Sequence, residues 1–324
     1  MASSISALLA MVVLLCTVEL CWSMGGGGSR KLASLYTPPP LILQYHNGPL
    51  LTGKLPLSVV WYGDFTPSQH AIVVDFLNSL HQPSSSSAGH PTVSTWWRTV
   101  EKYSAALPKS QPASSSFAAG VVMPVLAGQN LDSAYSLGKT LTRAQISQLA
   151  SKHAPSAAGG RSLTLVLTSA DVTVEGFCMG GCGTHGSHPP SSAYVWVGNS
   201  ASQCPGTCAW PFHQPIYGPQ SPPLVAPNGD VGVDGMIINI ASLLAAAVTN
   251  PLGNGYYQGA AGAPLEAASA CPGMYGTGSY PGYAGNLLVD PTTGASFNAV
   301  GLNGRKYLLP ALWDPQTRSC STLV

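Results

Sequence analysis

Charged residues are scarce in this 324-residue sequence. They make up 8% of the chain, whereas an average globular protein has roughly 25%. The formal net charge is +1, so neither a basic face for nucleic acid nor an acidic tail can be built from it. Nucleic acid is therefore not expected as a partner. The chain is nevertheless long enough to bury a sizeable core without help from disulfides.

Several catalytic signatures are also missing. The sequence contains no G-x-S-x-G nucleophile elbow and no His-Glu dipeptide, which removes the local motifs of α/β-hydrolases and of the common zinc peptidases. No Asn-x-Ser/Thr sequon occurs, so N-linked glycans are not expected. We predict that the protein has no cofactor.

The first residues resemble a secretory signal. An apolar run over 7–16 is followed by small and polar residues, which fits a signal-peptide core, although basic residues before it are missing. We predict a signal peptide over 1–23, a flexible leader over 24–40 and one domain over 41–324. The alternative for the first segment is an N-terminal membrane anchor. No later segment reads as membrane-spanning, so secretion without a membrane span is expected.

Strands and helices alternate over the first half of the domain. Strands are predicted over 41–46, 55–63, 120–126, 162–169 and 193–198, and helices over 68–80, 95–103 and the segment that ends at residue 153. A turn at Asn47 would join the first two strands, and Thr142 with Gln145 forms a capping box for the third helix. This alternation predicts a single mixed α/β domain, and beyond residue 174 its second half becomes rich in loops.

A long apolar run over 236–248 predicts a buried helix. It follows turn residues, is capped near Asp234 and stops at Asn250, because Pro251 disfavours helix in the residue before it. Apolar residues fall on every face, which indicates burial on all sides. About thirteen residues are too few to cross a bilayer, for which roughly twenty are needed. We therefore expect this helix in the middle of the fold.

Six cysteines remain after removal of a signal peptide that contains Cys16 and Cys21. An even number in an oxidising compartment favours three disulfides. The two C-x3-C pairs suggest small loops, and the last two cysteines would then close the C-terminal part, although spacing alone does not fix the pairing. The predicted pairs are Cys178 with Cys182, Cys204 with Cys208, and Cys271 with Cys320.

A zinc site is the alternative use of these cysteines. Thiolate and imidazole are the preferred ligands of zinc, and three histidines lie near the C-x3-C pairs: His185, His188 and His213. The spacing differs from the usual C-x2-C knuckle, and secreted thiols are normally oxidised. We predict disulfides and no bound metal.

Several runs of residues carry a specific resemblance. They read D-F-L-N-S-L, S-T-W-W-R-T-V-E-K-Y, G-F-C-M-G-G-C-G-T-H, W-V-G-N-S, Q-C-P-G-T-C-A-W-P-F-H, N-G-D-V-G-V-D-G-M-I-I-N-I-A and G-R-K-Y-L-L-P-A-L-W-D-P. These runs extend from about Leu41 to Cys320 and resemble the plant EXORDIUM family, also called phosphate-induced proteins. The resemblance implies an extracellular protein of the cell wall, linked to brassinosteroid-dependent growth and cell expansion. It implies no known reaction.

A second resemblance concerns the apolar helix. Microbial relatives of the family carry a pattern similar to H-E-x-x-E-x-V-T-D-P where this chain has S-L-L-A-A-A-V-T-N-P, and that pattern resembles the helix of zinc peptidases. Ser242 stands at the His position, Leu243 at the general base and Ala246 at the second ligand, while the acid Glu266, five residues before Cys271, is retained. Serine and alanine cannot hold a catalytic zinc at neutral pH. The resemblance therefore implies a zincin-like scaffold whose metal site is degenerate, without catalytic residues.

A binding function is the main prediction. The partner would be a cell-wall polysaccharide or an extracellular receptor, since tyrosines on glycine-rich turns can stack on sugar rings. Candidate ligand residues are Asp230, Asp234, Tyr275, Tyr280, Tyr283 and Trp313. The two aspartates have two further interpretations, as helix caps or turn formers and as a calcium or substrate site.

The alternative function is a hydrolase of wall polysaccharide. Such an enzyme needs two carboxyl groups about 5 to 10 Å apart. Beyond the signal peptide the glutamates are Glu101, Glu175 and Glu266. Glu101 falls on a predicted helix, where a solvent-facing position is the simpler interpretation.

Overall fold

The computed structural model of the protein describes residues 40–81, 89–107, 121–156, 161–188 and 192–324. The predicted signal peptide, and the predicted leader except Pro40, lie outside these residues. The helices are α1 (Pro67–Ser79), α2 (Val93–Ala105), α3 (Arg143–Lys152), α4 (Pro205–Cys208) and α5 (Val231–Thr249). The strands are β1 (Gln44–Tyr45), β2 (Gly53–Tyr62), β3 (Val122–Asp132), β4 (Thr140–Leu141), β5 (Ser162–Thr168), β6 (Thr173–Val174), β7 (Gly183–His188), β8 (Ser192–Gly198), β9 (Tyr256–Tyr257), β10 (Leu288–Val289), β11 (Ser296–Phe297), β12 (Ala299–Val300), β13 (Lys306–Tyr307), β14 (Leu312–Asp314) and β15 (Ser319–Ser321).

A five-stranded sheet is the framework of the described fold. Its strand order is β3-β2-β5-β8-β7. Strands β3, β2, β5 and β8 run parallel, whereas β7 runs antiparallel to β8 and forms one edge. Every residue of β5 is buried. Strands of a parallel sheet are covered on both faces, which explains why they read as apolar runs in the sequence.

Helices cover both faces of this sheet. Successive side chains of a strand point to opposite faces, and in β2 the residues Leu57, Val59 and Trp61 pack in the core that also contains α1, α2 and α5. The intervening Val60 and Tyr62 pack in a second core with α3. The arrangement is mixed α/β, as the sequence predicts, with three layers.

The local helix signals and the turn at Asn47 are confirmed. Thr142 caps α3 and forms a capping box with Gln145. Asn47 adopts the left-handed conformation of a turn residue, with φ of 64°. The strand before this turn does not pair with β2, however. It is the short strand β1, which pairs antiparallel with β9 and so joins the start of the described chain to residues 256–257.

Helix α5 begins five residues earlier than the apolar pattern indicates. Its N-cap is Asp230, whose carboxylate accepts a hydrogen bond from the Val233 N–H at 2.9 Å. Two glycines made this turn look irregular, yet both serve close packing. A Cβ on Gly232 would lie 2.3 Å from the Asn199 side chain, and one on Gly235 would lie 2.8 Å from Ala209. The helix buries 15 of its 19 residues.

The length argument against a membrane span therefore fails for α5. Among the described residues it is the one helix whose 19 residues are long and apolar enough to cross a membrane. Within the protein, 78% of that apolar stretch is buried, and the helix packs against strands β7 and β8 and helices α1, α2 and α4. Core helices commonly have this composition, so the match is weak evidence for a span.

Three disulfides join segments of the loop-rich second half, in a pairing that differs from the predicted one. Cys178 bonds to Cys204 and Cys182 to Cys208, while the predicted bond between Cys271 and Cys320 is present. The reason is the short helix α4. It places Cys204 and Cys208 on the same side, with their sulfurs 3.6 Å apart, and each faces one cysteine of the loop before β7.

Candidate functional site

The three positions that the second resemblance assigns to a degenerate metal site lie in the second half of α5. The Ser242 hydroxyl donates a hydrogen bond back to the Ile238 carbonyl, at 2.9 Å. The Leu243 side chain packs closely against Gly183 of β7, and Ala246 is buried. None of these side chains offers an ionised or imidazole ligand. The described part of the chain contains no group of three His, Cys, Asp or Glu residues arranged to hold a metal ion.

The retained acid, Glu266, lies in a buried polar cluster. His185 of β7 donates from Nε2 to both carboxylate oxygens, at 3.0 Å each. The Asn250 side chain at the end of α5 donates to Oε1 at 2.7 Å and accepts from the Gly255 N–H at 2.7 Å. Three distant segments of the chain therefore meet at one carboxylate, whose hydrogen-bonding capacity is largely used by the protein itself.

The ring of His185 has one unused polar atom. Its Nδ1 is buried and makes no hydrogen bond within the described residues. A buried nitrogen without a partner costs free energy, about 1 to 3 kcal/mol if it must lose water on folding. The sequence singled out His185 as a possible zinc ligand, but its partner is a carboxylate 81 residues away in the chain. No local signal could have indicated that contact.

Asp230 and Asp234 have structural roles at the start of α5. Asp230 caps the helix and accepts from the Gln69 amide at 2.8 Å, which ties α5 to α1. Asp234 is buried and accepts from the backbone N–H and the side-chain amide of Asn228, at 2.8 and 2.5 Å. The helix-cap interpretation therefore fits Asp230, whereas Asp234 is not on a ligand-accessible surface. Burial raises the pKa of Asp234 to about 7.

The raised pKa of Asp234 predicts a pH-dependent stability. In the unfolded chain the carboxyl has a pKa of about 4, so between that value and about pH 7 the folded state binds more protons. The contribution of Asp234 is complete below about pH 4 and is lost as the pH rises through about 7. Asp230, Arg305 and Tyr307 are the nearby titratable groups. We expect the free energy of unfolding of the Asp234→Asn variant, relative to the wild type, to rise by about 2 to 4 kcal/mol from pH 4 to pH 8.

Urea denaturation at several pH values measures this difference, from which the contributions of groups common to both proteins cancel. Ile238→Val, one turn further along α5, is the matched control. It removes one buried methyl group, which lowers stability by about 1 kcal/mol at every pH. If the difference in free energy of unfolding between Asp234→Asn and the wild type stays constant with pH, the raised pKa of Asp234 is contradicted.

The predicted aromatic surface is only partly exposed. Tyr275 and Trp313 are buried, which corrects their expected place on a ligand surface. Tyr275 packs on Trp210 with ring centroids 5.6 Å apart, and Trp313 lies in strand β14, opposite Cys320. Tyr280 and Tyr283 do face solvent, with 65% and 37% of their surface exposed. Their rings are adjacent, at 5.1 Å between centroids.

A second polar cluster, which the sequence did not indicate, lies where strands β2 and β5 end. The Tyr135 hydroxyl donates to Asp171 at 2.8 Å and approaches Asp64 at 3.3 Å. Lys139 bonds to Asp171 at 2.6 Å and lies over the ring of Tyr135. Hydrogen bonds from Lys139 and Ser169 hold the pKa of Asp171 well below its usual range. In open parallel sheets ligands bind at such carboxyl ends. The positions of Asp64 and Asp171, each soon after a predicted strand, were therefore the sequence signal from which this cluster could have been found.

Comparison with known proteins identifies relatives over almost the whole chain. Residues 43–323 match the family described as "Phosphate-induced protein 1 conserved region". The chain is 59% identical to Protein PHOSPHATE-INDUCED 1 of Nicotiana tabacum over 305 residues, which covers 91% of this chain and 93% of the relative. It is 57% identical to Protein EXORDIUM-like 2 of Arabidopsis thaliana, over 90% and 93% of the two chains. Identity to Protein EXORDIUM of the same plant is 56%, over 91% and 94%. No solved structure gives a significant match. The chain belongs to the phosphate-induced protein family, with EXORDIUM and the EXORDIUM-like proteins.

Proposed function

We propose that the protein is secreted to the cell wall, where it supports brassinosteroid-dependent growth and cell expansion by binding rather than by catalysis. The N-terminal pattern over 1–23 supports secretion, and the process is what the resemblance to the EXORDIUM family implies. The scaffold is proposed to be zincin-like. This is supported by the packing of α5 against the antiparallel edge strand β7 and by the contact of Glu266 with that strand through His185.

The hydrogen bonding of Glu266 is the observation that most directly supports a non-catalytic function. A zinc peptidase needs three protein ligands and a base beside the metal-bound water. At the positions that the resemblance assigns to the metal site this chain has Ser242, Leu243 and Ala246, and the Ser242 hydroxyl is bonded within its own helix. The one retained acid bonds to His185 and Asn250, so it acts as a structural link between α5 and β7.

Hydrolysis of a glycan by a carboxylate pair is the second candidate function. Asp64 and Asp171 both approach the Tyr135 hydroxyl, so their carboxylates lie close together. A glycosidase also needs a carboxylic acid with a raised pKa. Asp171 is the opposite case, since its pKa is lowered by Lys139.

Glu101 does have a raised pKa, but it lies at the wrong end of the sheet. Its carboxylate is partly buried, which raises the pKa, and it accepts from the Val122 N–H at the first residue of β3. The expected solvent-facing position is therefore not what the structure shows. Asp64 and Asp171 follow the ends of β2 and β5, which run parallel to β3. Glu101 and these aspartates are thus separated by the length of the strands.

Binding and hydrolysis can be separated in one experiment on the purified secreted protein. We expect the wild type to be retained by isolated plant cell walls and to release no reducing ends from wall polysaccharides. The Glu266→Gln and Asp171→Asn variants should be retained equally well, because neither residue is assigned to the binding surface. Release of reducing ends by the wild type that either substitution abolishes would establish the hydrolase instead. Failure of the wild type to be retained would refute binding to the wall.

A further inference from the structure

We infer that two adjoining loops form a platform for a neutral polysaccharide chain. The platform consists of the loop over 213–225 and the turn Tyr280-Pro281-Gly282-Tyr283, and it extends the predicted pair Tyr280 and Tyr283 by a third exposed tyrosine, Tyr217. This inference rests on the proposed function, because it names the partner class of a wall-binding protein. Neither the family resemblance nor the relatives' names indicate this surface.

The turn holds two tyrosines side by side. The backbone groups of Tyr280 and Tyr283 exchange two hydrogen bonds, at 3.1 and 2.8 Å, across Pro281 and Gly282. Gly282 has φ of 89°, a conformation that glycine adopts without strain. The Tyr283 hydroxyl donates to the Asn286 side chain at 2.9 Å. The two rings therefore lie on a short, well-bonded turn, which lowers the entropy that binding must remove.

The second loop is fixed directly to this turn. The Ser221 hydroxyl donates to the Gly282 carbonyl at 2.8 Å, and a Cβ on Gly282 would lie 2.5 Å from Pro219. Two residues before Pro219, Tyr217 has 88% of its surface exposed, and its neighbour Ile216 is 57% exposed. The contact between Pro219 and Gly282 thus brings exposed aromatic and aliphatic side chains from both loops onto one region of the surface.

Exposed apolar side chains grouped in this way usually mark an interaction site. Tyrosine suits a sugar partner because its ring can cover the apolar C–H face of a pyranose, while its hydroxyl and nearby amides can bond to the hydroxyl groups at the sugar's edge. The Asn286 side chain supplies an amide group beside the Tyr283 ring, whose hydroxyl it binds. A single exposed tyrosine is common on protein surfaces, whereas three exposed tyrosines on two connected loops indicate an interaction site.

The absence of charged residues from the two loops indicates whether the platform binds a neutral or an acidic polysaccharide. The sequence has no Asp, Glu, Lys or Arg between Glu175 and Asp230, and none between Glu266 and Asp290. Both loops lie within these uncharged stretches. Recognition of a uronic acid chain normally uses arginine or lysine, because a carboxylate is bound best by a charged donor. The platform therefore fits a neutral, hexose-based chain.

The test is calorimetric titration of the purified full-length secreted protein with a soluble neutral β-glucan, and with polygalacturonate as the acidic probe. We expect binding of the neutral chain only. Tyr217→Ala and Tyr280→Ala should each weaken it by about five- to tenfold, the loss of roughly 1 kcal/mol of stacking per ring. The double variant should weaken it by about 25- to 100-fold, and Tyr280→Phe, which keeps the ring face, by about twofold at most.

Met179→Ala is the matched control, because Met179 is 87% exposed and lies outside the platform. It should bind as the wild type does. Unchanged binding of the neutral chain by the double variant would overturn the platform while leaving wall binding intact. Preference for polygalacturonate would overturn the neutral ligand. Retention on whole walls without binding to either probe, and its loss after protease treatment of the walls, would show a protein partner and refute a glycan platform.

Discussion

Replacing Glu266 with leucine is expected to lower the free energy of unfolding by about 3 to 5 kcal/mol, because it removes the shared acceptor of a buried hydrogen-bonded cluster and leaves two donors unpaired. Leucine has a similar size, so the loss comes from hydrogen bonds rather than from volume. The His185 imidazole would lose the carboxylate that it binds at 3.0 Å, and the Asn250 amide would lose its acceptor at 2.7 Å. Chemical denaturation measures the effect.

A double-mutant cycle separates the pair from its surroundings. His185→Leu combined with Glu266→Leu should cost less than the sum of the single variants, because neither partner then remains buried and unpaired. Glu266→Gln is the conservative control. It keeps an acceptor for Asn250 and should cost about 1 to 2 kcal/mol. Additive single effects, or a loss below about 1 kcal/mol for Glu266→Leu, would contradict a structural role for this cluster.

Removing the disulfide between Cys271 and Cys320 should have an effect of similar size. The two residues are 49 positions apart, and cross-linking a loop of that length lowers the entropy of the unfolded chain by an amount worth about 4 kcal/mol. We expect Cys271→Ala with Cys320→Ala to lower stability by about that much. The hairpin of β14 and β15, which contains Cys320, should also loosen, so trypsin should cut at the exposed Arg318 sooner than in the wild type.

The other two disulfides, Cys178–Cys204 and Cys182–Cys208, join the same two segments and provide the matched control for this prediction. Cys178→Ala with Cys204→Ala removes a disulfide between residues that are 26 positions apart in the sequence. Cys182–Cys208 closes a loop of the same separation between the same two segments, so it still constrains the unfolded chain. The control should therefore cost clearly less than loss of Cys271–Cys320. Equal losses would show that the chain-entropy account does not apply here.

Signals that act within a few residues could be recognised in the sequence. The capping box of Thr142 and Gln145 and the apolar strand β2 are examples, because each depends only on local hydrogen bonding or on continuous burial. The α/β class follows from the order of such elements. The start of α5 was missed for the complementary reason: Gly232 and Gly235 are compatible with the helix because of Asn199 and Ala209, which approach from elsewhere in the chain.

The parts that could not be predicted depend on contacts between distant residues. Cysteine pairing is decided by the loop that faces α4, since Cys204 and Cys208 are near each other in the sequence and in space but bond to other partners. Tyr275 is buried and Tyr280 is exposed, although both lie in the same glycine-rich segment. The contact of His185 with Glu266 likewise has no local pattern.

The position of α5 also affects how the chain can fold during synthesis. The strands of the five-stranded sheet are complete at Gly198, but α5, which packs against β7 and β8, begins only at Val231. Until the ribosome has released that helix, the apolar side chains beneath it have no cover, and a chain in this condition is prone to aggregate. Nascent chains that stop before residue 231 should therefore depend on chaperones, and the protein should reach its native state only late in translation or after release.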